Sequence, residues 1–77
     1  MPTVMRKGAF RFHFYSDEGN EPAHIHVATG DGEAKFWLEP VRLAGSIRLA
    51  PTQIRDIERL VFEYQALLLE AYHEFHG

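Results

Sequence analysis

The chain contains no cysteine, a single tryptophan and no long apolar run. Without cysteine, neither a disulfide nor a thiolate zinc site can form. Small secreted domains usually rely on such staples, so the reducing cytoplasm is the expected compartment. No segment approaches the ~18–20 apolar residues of a membrane helix, and residues 1–11 hold no apolar core of signal-peptide length. Positive charge is also in deficit: eleven acidic side chains stand against eight basic ones, for a net charge of -3 with histidine neutral. This balance argues against a general nucleic-acid coat, although a local basic face can still hold phosphate. Size excludes more. At 8.9 kDa, folding buries only about 63% of the surface an open chain exposes. That leaves room for one core and one domain, residues 1–77, and excludes a two-domain enzyme or a barrel.

What the chain does have is apolar and aromatic content, 45% and 13%, enough to exclude disorder. It also has five histidines. The first half alternates with period two. Phe10, Phe12 and Phe14 fall on one strand face, with Arg11, His13 and Tyr15 on the other. A polar loop at 16–22 leads to a strand that opposes Ile25 and Val27 to His24 and His26. The turn Thr29-Gly30-Asp31-Gly32, with Gly30 suited to the first central position of a type II′ turn, leads to a third strand. There Ala34, Phe36 and Leu38 oppose Glu33, Lys35 and Trp37. Thr3 to Lys7 reads as an edge strand turning at Gly8, and Pro40 ends the third of these longer strands. Residues 41–49 are ambiguous, readable as a short fifth strand at Val41 and Leu43 followed by a loop through Gly45. From Pro51 the period becomes 3.6, with Ile54, Ile57, Leu60, Val61, Tyr64, Leu67, Leu68, Ala71, Tyr72 and Phe75 on one stripe. The expected fold is α+β: an antiparallel β-meander of about four strands within 3–40, packed on one long C-terminal α-helix at about 51–75.

Register carries the functional reading. The turn at Gly30-Asp31 places His26 opposite Lys35 and His24 opposite Trp37. Matching the apolar faces of the preceding pair places His13 opposite His26 and Tyr15 opposite His24. The face turned from the helix therefore gathers His13, His24, His26, Tyr15, Lys35 and Trp37, with Arg11 and Glu33 nearby. Three uses compete. The first is metal-independent cleavage of RNA. His13 and His26 exchange protons, Lys35 and Arg11 hold phosphate, and Tyr15, His24 and Trp37 contact substrate, the aromatic pair by stacking. The second is a divalent metal on His24-x-His26 with His13 and Glu33, a set that the Lys35 ammonium opposes. The third is a protein interface, since Trp, Tyr and Arg are what interfaces collect and one helix leaves half of a small sheet uncovered. No cofactor is expected. Other motifs are structural: Gly30 and Gly32 are turn residues, Glu70-x-x-His73 lacks partner helices for a metal site, and His73 and His76 answer a helix C-terminus.

Several segments together resemble a known bacterial family. They are the opening Met-Pro-Thr-Val, the strand from Phe12 to Ser16, the run Glu21-Pro-Ala-His-Ile-His-Val27, the run Gly30-Asp-Gly-Glu-Ala-Lys-Phe-Trp-Leu-Glu-Pro40, and the helix from Ile54 to Gly77. The resemblance is to the small proteins catalogued as domain of unknown function 4160, and it covers nearly the whole chain. Two departures stand out. Ala23 occupies the place of a second proline, and Ala50 that of a polar helix cap. The resemblance implies a small cytoplasmic protein encoded beside another small protein, in the manner of a toxin–antitoxin pair with this chain the toxin. It supplies no catalytic residues, so RNA action and binding to a partner or to a second copy both stay open.

Overall fold

The period-two pattern folds into a five-stranded antiparallel sheet whose strands follow one another in chain order: β1 (Thr3–Lys7), β2 (Phe10–His13), β3 (His24–Thr29), β4 (Gly32–Leu38) and β5 (Val41–Ile47). The computed structural model describes residues 3–15 and 20–76; most of the expected 16–22 loop and the terminal residues 1, 2 and 77 lie outside them. Gly8 and Gly30 open the first and third turns at φ 58° and 55°. In the third turn Asp31 keeps a negative φ, the combination a type II′ turn requires. The expected four strands become five. Gly45 does not end pairing: it sits opposite Lys35, and a register shift before Leu43↔Phe36 leaves Ala44 as the extra residue of a bulge.

The 3.6-residue stripe also folds as expected, but not as one helix. It forms α1 (Pro51–Glu63) and α2 (Gln65–His76), separated at Tyr64, whose φ of -107° and ψ of 20° leave the helical region. A straight helix of that length would overhang the sheet. The break keeps both halves on it, and the Gln65 amide donates to the carbonyl of Leu38. Pro51 takes the first helical position, and Gln53 accepts the backbone N–H of Ala50 at 2.8 Å, a half capping box that Ala50 cannot return. α1 packs on β4 and β5, and α2 on β3 and β4. Between the layers lie Phe12, Phe14, Ile25, Val27, Ala34, Phe36, Leu38, Ile57, Val61, Leu68 and Tyr72, all buried. Each large side chain there contributes about 1.5–3 kcal/mol by leaving water. The break also shifts the stripe's phase, so Leu67, expected inside, is 47% exposed.

Candidate functional site

The registers that gather the histidines are present. β2 pairs His13 with His26, and β3 pairs His26 with Lys35 and His24 with Trp37. The β1 and β5 registers extend the same face with Thr3 opposite His13, Arg6 opposite Arg11, and Arg42 opposite Trp37. Four of the chain's eight cationic side chains (Arg6, Arg11, Lys35 and Arg42) thus share one sheet face. The helices carry Asp56, Glu58, Glu63, Glu70 and Glu74 against Arg55 and Arg59. Glu21, Glu33 and Glu39 also stand on or beside the sheet face, so its positive excess is one, four cations against three carboxylates, while the helices are net acidic.

One expected pairing does not form. Strand pairing of β2 stops at His13, and Tyr15 does not sit opposite His24. Its ring instead lies over His26 at 4.4 Å between centroids and against His13 at 5.1 Å. This lid, together with the neighbouring strands, buries the histidines: His13 is 0% exposed, His24 1% and His26 7%. The face away from the helices is therefore closed over His13 and His24, while an edge of His26 reaches the surface beside Glu33 and Lys35.

Each ring is held differently. His26 Nδ1 donates to Glu33 Oε2 at 3.0 Å, and the Tyr15 hydroxyl donates to the same carboxylate at 3.1 and 3.2 Å. Glu33 therefore orients both the imidazole and its lid, and it leaves Nε2 as the basic nitrogen of His26. His24 Nδ1 donates to the carbonyl of Pro22 at 2.8 Å, and its ring packs edge-on against Trp37. Tyr72 of α2 reaches round to His24 and donates its hydroxyl to the carbonyl of Glu21. His13 stacks on His26 with ring centroids 5.7 Å apart, and neither of its nitrogens has a hydrogen-bond partner among the described residues. Burial first, and then the Arg11 charge, push its pKa below the ordinary histidine value.

Lys35 is paired with Glu21, and its ammonium lies 4.7 Å over the Trp37 ring. Arg11 donates to Thr3 Oγ1. A shallow hollow of about 250 Å³, open where Gly45 lacks a side chain, is lined by His26, Glu33, Lys35, Ser46 and Ile47 among others. Of the residues expected on this face, His26, Lys35, Tyr15, Trp37 and His24 form one contiguous cluster. His13 lies beneath it and Arg11 at its edge. Glu33 and Glu21 are the partners that residue-type reasoning undervalued. Glu33 was within reach of it, because a residue two along from Lys35 is the diagonal neighbour of His26. Glu21 arrives from a loop whose path no periodicity encodes. Among the described residues no group of three or more His, Asp or Glu side chains is placed to hold a metal ion, and no helix is long and apolar enough to cross a membrane.

The chain matches the model of the family described as Domain of unknown function (DUF4160) over residues 9–73, a span that includes every residue of this cluster. No curated protein and no solved structure matches it. The chain belongs to the DUF4160 family.

Proposed function

We propose that this DUF4160 protein acts on RNA in the bacterial cytoplasm as the toxin of a toxin–antitoxin-type pair, with His26 as the proton-transfer group and Lys35 as the phosphate contact. The observation that carries the reading is the His26–Glu33 hydrogen bond at the wall of a hollow that Lys35 also lines. A carboxylate that accepts Nδ1–H makes the opposite nitrogen the base and stabilises the imidazolium once a proton arrives. In the reaction, Nε2 takes the proton of a ribose 2′-hydroxyl. The 2′-oxygen bonds to the adjacent phosphorus, the bond to the 5′-oxygen breaks, and that oxygen leaves with a proton from water. The products are a 2′,3′-cyclic phosphate and a 5′-hydroxyl end. Lys35 neutralises the phosphate, exchanging Glu21 for it, while Arg6, Arg11 and Arg42 draw the strand to the face. In this scheme His13 supports the His26 ring from below and touches no substrate, because it is wholly buried.

Purified protein incubated with a mixed-sequence RNA tests the reading. Wild type is expected to generate cyclic-phosphate ends, and His26→Ala and Glu33→Gln to slow that by roughly a hundredfold or more, the usual worth of a general base. Cleavage by His26→Ala at the wild-type rate rejects the assignment. Wild type that cleaves nothing and is harmless when expressed alone rejects the function.

A second reading has its own observation. β5 is an edge strand with Leu43 and Ile47 exposed at 38% and 54%, a surface on which a partner protein or a second copy can add a strand. Under it the protein is a non-catalytic interaction module, and sedimentation with and without the neighbouring gene's product separates the two.

A further inference from the structure

On the same sheet face, a second hollow of about 210 Å³ is lined by Pro22, Trp37, Glu39, Pro40 and Arg42. We infer that it is a nucleobase subsite and that its rim selects guanine. The inference rests on the RNA reading and names the nucleotide which that site accepts.

The walls fit a flat ring. Trp37 presents a half-buried indole, and two prolines complete an apolar, rigid slot. Stacking on such a surface is worth about 1–3 kcal/mol per base and is indifferent to which base it is. Lys35 covers part of the indole, and it stands two residues from Trp37 on β4, roughly 6.6 Å along the strand. Lys35 therefore joins the two hollows: it lines the first and covers the indole that walls the second. A base in the second hollow puts its own phosphate near the ammonium and the scissile bond near His26.

The rim provides the discrimination. Glu39 and Arg42 line one hollow with opposite charges, yet among the described residues neither makes an ion pair or a side-chain hydrogen bond. A carboxylate only accepts and a guanidinium only donates. Guanine alone among the four bases offers two adjacent donors, N1–H and N2–H, on one edge and two adjacent acceptors, O6 and N7, on another. Adenine and cytosine present a single amino group beside acceptors, and uracil a single N–H. Glu39 therefore pairs with the donor edge and Arg42 with the acceptor edge.

Trp37 is the sole tryptophan, so intrinsic fluorescence reports on this hollow directly. The test titrates the intact protein with guanosine, adenosine, cytidine and uridine 5′-monophosphates. Guanosine monophosphate is expected to quench saturably and to bind roughly tenfold or more tightly than the others, the discrimination of one good bidentate pair. Glu39→Gln and Arg42→Gln, both at exposed positions, each remove most of that preference without changing the far-ultraviolet circular dichroism. Equal affinities, no quenching by any nucleotide, or a preference unchanged in both variants overturns the inference. A cleavage assay separates it from its premise. RNA cut without regard to guanine refutes the subsite and leaves the RNA reading standing. Selective quenching by guanosine monophosphate without any cleavage supports the subsite and refutes the catalytic reading.

Discussion

Replacing His13 by leucine probes the buried side chain with the most unpaired polar atoms among the described residues. Its ring is 0% exposed, and neither nitrogen has a hydrogen-bond partner among the described residues. A buried polar group left unpaired costs about 1–3 kcal/mol. Leucine has a similar volume and no polar atom, but it loses the stack on His26, worth about 0.5–1.5 kcal/mol. Near neutral pH the variant is therefore expected to be neutral to about 2 kcal/mol more stable, a gain of roughly 4–8 °C in Tm per kcal/mol. Acid widens the gap. Burial and Arg11 hold the folded imidazole below the 6.5 it regains on unfolding, so the unfolded chain binds the proton more readily. His13's contribution is intact above about pH 6.5 and is lost as pH falls below it. Leucine takes up no proton and escapes that loss. Thermal unfolding of both proteins, followed by circular dichroism near pH 7.5 and near pH 5, measures the difference. The reasoning fails if His13→Leu is destabilised by more than about 1 kcal/mol near neutrality, or if the two melting temperatures fall in parallel on acidification.

Further outcomes follow from other contacts. A Cβ at Gly32 would clash with the Leu49 side chain and stand 2.5 Å from the Arg48 carbonyl, so Gly32→Ala is expected to lose about 1–3 kcal/mol in urea unfolding. Arg48 holds φ at 56°, and Arg48→Gly should gain about 1 kcal/mol in the same assay. Tyr72→Phe removes the hydroxyl donated to the Glu21 carbonyl and should lower stability by about 1 kcal/mol; an unchanged midpoint would show that bond to be worthless. Glu21→Gln frees the Lys35 ammonium, and under the RNA reading it tightens single-stranded RNA binding roughly twofold to fivefold, the worth of a partly exposed ion pair. Fluorescence anisotropy of a labelled oligonucleotide reads this, and weaker binding by the variant contradicts Lys35 as the phosphate contact.

Local periodicity determined a large part of this protein by itself. The alternation around Phe12, Ile25 and Phe36, a turn that needs positive φ at Gly30, and Pro51 ahead of a 3.6-residue stripe specify strands, register and helix start, because each is a constraint between near neighbours. Register in turn carried His13, His24 and His26 onto one face with Lys35 and Trp37. Only the tertiary structure decided the rest. The helix breaks at Tyr64, where no glycine or proline marks it, because a straight helix would outrun the sheet it covers. β5 runs through Gly45 because pairing with β4 outweighs glycine's weak strand preference and a bulge absorbs the extra residue. His13 and most of His26 are covered because Tyr15 leaves the strand and folds back onto Glu33. Those outcomes depend on side chains far apart in the chain and on the summed area they bury, and no spacing rule encodes such a sum. The five histidines and the net charge of -3 therefore named the ingredients. Which imidazole is held by a carboxylate, which is left unpaired, and which cations stand together was settled by packing.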